Sequence, residues 1–224
     1  MLGKMLSIVL TGAALLSGSK NAALPEKDID GTIFLVNRQH VISEQYVPEP
    51  LRKTQVYGMS QSMREDAATA LEELFQAAQA DGIKLSSVSG YRSYSKQSLL
   101  YDRKTKRTGS ETEADKLVAR PGASEHQLGL AMDLATRNSS TLSEKFGSTP
   151  EGQWVYANCQ RFGFIVRYLK GYEDVTGYSY EPWHIRYVGP EHAEAIAASG
   201  LPFETYLSGW KLELYDYLLH HAMN

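Results

Sequence analysis

In the stretch ASEHQLGLAMDLA, His126 and Asp133 stand seven positions apart with Gly129 between them, and that spacing restricts the backbone more than any other feature of the chain. On one continuous helix the two side chains would share a face but lie roughly 10 Å apart along the axis. Two ligands of one ion, with bonds near about 2 Å, must nearly touch. If both residues serve one centre, a helix is excluded: the chain must turn at Gln127 to Gly129 and continue as a strand, GLAMDLA. In that strand Gly129, Ala131 and Asp133 share one face, and Leu130, Met132 and Leu134 share the other. Two small residues then precede Asp133, leaving space for a ligand or a backbone to approach. The plainer alternative is a pair of unrelated polar residues at the ends of a buried strand.

A shared centre needs a third ligand, and YEPWHIRYVG offers one. After Pro182, His184 and Arg186 share a face, while Trp183, Ile185 and Tyr187 form an opposite, core-like face. Pro182 breaks regular pairing between Glu181 and His184, so both side chains can turn toward one centre despite their spacing. Two imidazoles and one carboxylate leave a metal with an open position for water, as in catalytic zinc sites, and Glu181 then stands as the base. SGYRSYSKQ adds a strand ending at Gly90 that delivers Arg92 to a loop, with Gln97 near the start of a helix. Arginine supplies a planar donor fork suited to carboxylates and developing oxyanions. A surface pairing of Arg92 with Asp102 is the competing explanation. His40, His192, His220 and His221 lack comparable context and read as surface residues. Cys159, the single cysteine, has no histidine nearby in sequence and reads as a packed small hydrophobe.

The remaining pattern fills in the fold. Ser62 to Ala80 carries apolar residues at helical spacing, with Gly82 just past its end. Lys84 to Tyr91, FIVRYL and WHIRYV are strand-like. SYSKQSLLYDRKTKR, Glu111 to Val118, TPEGQWVYANCQRFGF and PEHAEAIAAS are helical. Without a regular βαβ alternation, these elements predict an α+β fold: a small single domain with a mainly antiparallel sheet flanked by helices. At 224 residues, one catalytic domain is the expectation. A net charge of −3 gives no basic face for nucleic acid.

At the N-terminus a lysine precedes an apolar run from Met5 to Leu16, followed by small and polar residues, the pattern of an export signal too short for an ordinary membrane span. The expected organisation is a signal peptide or N-terminal membrane anchor over 1–23, an extended arm over 24–50 and a catalytic domain over 51–224. The expected location is exported: extracellular, in the cell wall, or anchored on the outer face of the membrane. With one cysteine, no intramolecular disulfide can form, so packing, with or without a metal, must hold such an exported fold.

SGYRSYSKQ, SEHQLGLAMDL and YEPWHIRYVG, intact and in this order, resemble the VanY-type zinc D-alanyl-D-alanine carboxypeptidases and the related L,D-carboxypeptidases of peptidoglycan maturation. The likeness runs from about Leu35 to about Gly209. It implies the α+β DD-peptidase fold shared with the Hedgehog signalling domain, and a Zn2+ ion on His126, Asp133 and His184 with Glu181 as catalytic base. Arg92 would hold substrate and stabilise the reacting carbonyl, and Gln97 and Ser124 would bind the substrate's C-terminal end. The implied reaction removes the C-terminal D-alanine from peptidoglycan stem tetra- or pentapeptides, by a monomer. Within the same fold, D-Ala-D-Ala dipeptidase or endopeptidase action is the alternative. From other classes stand a non-catalytic zinc-containing wall-binding domain, which could dispense with Glu181 and Arg92, and a non-haem iron oxygenase, which needs no glutamate beside its last histidine. A serine hydrolase on Ser124 lacks the Gly-x-Ser-x-Gly elbow.

Overall fold

The alternation along GLAMDLA organises the molecule. The computed structural model describes residues 31–209 together with the two-residue strand β1 (Ala23–Leu24). β1 pairs in parallel with β2 (Val41–Ile42), and β3 (Leu51–Lys53) forms an antiparallel pair with β4 (Ser62–Arg64). There follow α1 (Glu65–Ala80), β5 (Leu85–Ser89), α2 (Tyr94–Thr108), α3 (Glu111–Leu117), β6 (Ala131–Thr136), α4 (Pro150–Asn158), β7 (Phe164–Tyr168), α5 (Glu173–Thr176), β8 (Glu181–Tyr187) and α6 (Pro190–Ser199). Residues 203–209 are helical. The main sheet has four strands in the order β5-β6-β8-β7, and every neighbouring pair is antiparallel. This is the α+β architecture that the sequence predicts. Among the described residues no helix is long and apolar enough to cross a membrane.

One face of the sheet is apolar. Leu130, Met132 and Leu134 meet Ile185, Phe164 and Val166 there, beneath α1 (Ala67, Ala68, Leu71, Leu74, Ala78) and α4 (Val155). Each fully buried Leu, Met or Phe contributes about 1.5–3 kcal/mol through removal from water. The other face carries Asp133, His184, Arg186 and Arg167, all buried, beside a smaller apolar cluster of Ile165, Val188, Ala193, Ile196, Phe203 and Leu207 under α6 and residues 203–209. Cys159 lies in the main core, as its sequence context predicts.

The helix expected from Ser62 instead begins at Glu65. Residues 62–64 are held extended against β3, with the Met63 side chain fully buried and the Arg64 N–H donating to Gly129 O at 2.8 Å. The arm is packed rather than free over its described part. Val36, Ile42 and Tyr46 are core residues, and the Gln127 amide donates to Ser43 O (2.8 Å) and Tyr46 O (3.3 Å). The N-terminal signal and the His220–His221 pair lie outside the described residues. His192 is not the surface residue expected: it is half-buried, with Nδ1 2.9 Å from the Tyr206 hydroxyl.

Candidate metal centre

Three strands place one residue each in a row across the sheet. Ser89 of β5 pairs with Asp133 of β6, and Asp133 pairs with His184 of β8. Paired residues share a face, so the row is continuous. Ser89 reaches it through a register shift between Ser87 and Ser89, because Ser87 still pairs with Leu134 on the apolar side. At the other edge, β7 advances two residues, from Val166 to Tyr168, while its partners on β8 move four, from Ile185 to Glu181. Pro182, lacking an N–H, sits inside that slip. The irregularity lets Glu181 and His184 act on one centre although strict alternation would oppose them.

His126 arrives from a one-turn 3-10 helix, Glu125–Leu128, that ends at Gly129 with φ of 68°. That left-handed conformation suits glycine, and a Cβ there would also come within 3.0 Å of Leu51 Cδ2 and 3.2 Å of Arg64 N. The Arg92 loop is locked onto the same turn: the Arg92 N–H donates to His126 O (3.1 Å), and His126 Nδ1 donates to Gly90 O (2.8 Å).

His126, Asp133 and His184 therefore converge, with one ligand atom from each lying within 4.8 Å of the others, and all three buried. His126 Nε2 is 3.3 Å from Asp133 Oδ2, and His184 Nδ1 is 3.0 Å from Asp133 Oδ1. Tetrahedral ligands with bonds of about 2.0–2.1 Å are separated by about 3.3 Å, so the spacing fits a metal of zinc's size. The hydrogen bonding fits too. Each imidazole gives its remaining N–H to an oxygen, His126 Nδ1 to Gly90 O and His184 Nε2 to Glu125 Oε2 (3.3 Å). The two nitrogens facing Asp133 would offer lone pairs to an ion once the proton shared with that carboxylate has left. The rings meet edge-on at 5.0 Å, and Tyr168 packs on His184 at 5.1 Å.

The local field divides the acids by role. Burial pushes the Glu181 carboxyl up to about 7; Asp133 adds to the rise, and His184, Arg92 and Lys104 oppose it. Burial alone would raise Asp133 as well, yet His126 and His184 hold it below the usual carboxylate range. Burial would lower His184, but hydrogen bonds to Asp133 and Glu125 outweigh it and carry it to about 9. For His126 burial wins over the attraction of Asp133 and the ring is held below its ordinary value. A carboxylate tuned toward neutrality beside one kept ionised is the division that a general base and a ligand require.

Arg92 does not pair with Asp102. Its Nη1 donates to Gln97 Oε1 (2.7 Å), its Nη2 to Ser89 Oγ (2.8 Å), and Nη2 lies 3.9 Å from Asp133 Oδ2. Gln97 is fully buried and its amide N–H donates to Ala119 O at 2.6 Å, so it stands behind Arg92 and fixes it. Ser124 is buried at the start of the 3-10 turn. Tyr178 is buried, its ring tilted against that of Tyr168 at 4.9 Å. A cleft of about 350 Å³ is lined by Tyr91, Ser93 and Tyr94, which flank Arg92 in sequence, together with residues 44–47.

Sequence reasoning missed the support beneath the ligands: Glu125, Arg167 and Glu204, together with the ion-pair role of Arg186. The available signal was one arginine inside each of two otherwise apolar strands, FIVRYL and WHIRYV, with an acid next to a ligand.

Residues 60–190 match the VanY family, D-alanyl-D-alanine carboxypeptidase. A D-alanyl-D-alanine carboxypeptidase of Enterococcus faecalis is 41% identical over 188 residues, covering 79% of this chain and 66% of that protein. Among solved structures, the LdcB LD-carboxypeptidase superposes with a TM-score of 0.77 at 42% identity, covering 81% of this chain and 88% of that one. A vancomycin-resistance D,D-pentapeptidase VanY variant in complex with Zn(II) gives 0.68 at 38% identity, over 79% and 98%.

Proposed function

The chain belongs to the VanY family of D-alanyl-D-alanine carboxypeptidases and is an enzyme of the zinc-peptidase type, and from that premise we propose that His126, Asp133 and His184 hold Zn2+ while Glu181 and Arg92 hydrolyse the last peptide bond of peptidoglycan stem peptides. The observation that carries this reading is the convergence of two imidazole nitrogens and one carboxylate on a point within the field of a carboxyl raised to about 7. Zinc bound there would supply Lewis acidity, bringing the pKa of water to about 7.

The rest falls to the chain's own groups. Glu181 accepts the proton of the attacking water and passes it to the departing amine of D-alanine, a contribution of about 10²–10⁴-fold. Arg92, held by Ser89 and Gln97, directs its fork at the oxygen on which charge develops. Ser124 lies two residues before His126, where it can meet the substrate's terminal carboxylate. The apolar run Met5–Leu16 supports export across the membrane, with that segment cleaved or kept as an anchor.

Purified protein incubated with zinc and stem tetra- and pentapeptides is expected to release free D-alanine, identified by mass. Which peptide is cut assigns L,D or D,D specificity. Glu181→Ala should retain zinc and lose at least about 10²-fold in turnover; His184→Ala should lose both. Undiminished turnover in the Glu181 variant would remove the base assignment.

A further inference from the structure

Glu125 has no role in the proposed chemistry, yet its carboxylate is fully buried and holds three donors. Oε1 accepts from Arg167 Nε and Arg186 Nη1, both at 2.8 Å, and Oε2 accepts from His184 Nε2 at 3.3 Å. Both arginines are themselves fixed. Arg167 forms a two-pronged pair with Glu204 (2.9 and 2.5 Å), and Arg186 Nη2 donates to Thr32 O and Phe34 O, each at 2.8 Å. Two guanidinium groups face two carboxylates, so the layer is charge-balanced, and the arginine side chains and Glu125 have no exposed surface.

We propose that Glu125 is the positioning residue of the metal centre: clamped by Arg167 and Arg186, it holds the His184 ring as the Nε2–H tautomer, leaving the Nδ1 lone pair facing Asp133 and His126. An imidazole carries one proton when neutral, so an acceptor fixed at Nε2 decides which nitrogen is free. The geometry also fixes the ring's plane, since the acceptor is immobilised by two further bonds. The reach of the network extends to residues far from the site in sequence: helical residues 203–209 brace Arg167 through Glu204, and the arm braces Arg186 through Thr32 and Phe34.

This rests on the metal reading above, and the test separates the two. Glu125→Gln keeps the shape but presents a single amide oxygen to three N–H donors. With the amide oxygen toward the arginines, its NH2 faces His184 Nε2, whose proton must then move to Nδ1; turned the other way, the NH2 faces both guanidinium donors. The Zn2+ dissociation constant of the folded variant, measured by competition with a chromophoric chelator, is expected to rise about 10–100-fold. Long-range 1H–15N spectra of the zinc-loaded wild type should show His184 protonated on Nε2 and His126 on Nδ1, a readout that a merely structural role would not set. A folded variant with wild-type zinc affinity overturns the proposal, as does a His184 proton on Nδ1; should the variant fail to fold, the wild-type spectra decide alone. Wild-type protein that takes up no zinc would overturn the metal reading and this one with it, whereas equal zinc affinity in wild type and variant would overturn this one only.

Discussion

Replacing Arg92 by lysine separates the charge at that position from its geometry. The guanidinium is anchored by two bonds, to Gln97 at 2.7 Å and Ser89 at 2.8 Å, and approaches Asp133 to 3.9 Å. Lysine keeps the positive charge that Asp133 and Glu181 feel, so zinc affinity should stay within a few-fold. It cannot bond Gln97 and Ser89 together while still presenting a donor to substrate, because an ammonium is a point charge on a flexible stem and lacks the rigid fork. The loss should therefore fall on the reacting oxygen. Removing one aligned donor to an oxyanion costs about 10²–10³ in kcat, or about 2.7–4 kcal/mol. The assay is steady-state release of D-alanine from a stem peptide, with zinc content measured on the same sample. A kcat within about threefold of wild type, at equal zinc content, would refute the oxyanion role and leave Arg92 as a brace for Asp133 and Ser89.

Two further outcomes follow from burial. Zinc at one hundred times its dissociation constant should stabilise the fold by about 2.7 kcal/mol, which for a chain of 224 residues corresponds to a rise in melting temperature of about 5–11 °C; scanning calorimetry with and without a chelator reads it, and the same shift in His184→Ala would contradict the ligand assignment. The Cys159 thiol is buried in the main core and burial pushes it up to about 12, so a disulfide reagent at pH 8 should leave the native protein unlabelled and react fully once it is unfolded; rapid labelling of folded protein would show the thiol to be accessible.

The alternation of GLAMDLA and the proline before WHIRYV were enough to predict two strands and to allow a shared centre for His126, Asp133 and His184, because side chains on a strand repeat with a period of two; the ordered motifs, through the family they resemble, named the three as ligands. What periodicity does not carry is a departure from itself. Ser89 would lie with Leu85 and Ser87 on the apolar side under strict alternation, and only the register shift between Ser87 and Ser89 turns it to Asp133 and Arg92. Likewise Met63 reads as part of a helix until β3 and Gly129 are present to hold it extended.

Alternation also gives the face on which a residue lies, but not whether that face ends in water or under another layer. Arg167 and Arg186 sit on the polar side of their strands, where charge would ordinarily mean solvent. They are buried because the arm and residues 203–209, which close over them, come from opposite ends of the chain and bring Thr32 O, Phe34 O and Glu204 as partners. A buried charge stripped of its partner costs several kcal/mol, whereas a complete, well-bonded group can be nearly neutral. The layer is therefore stable only when complete. Its completeness is what lets the Glu125 carboxylate sit behind His184 without drifting toward solvent or toward Asp133 and His126.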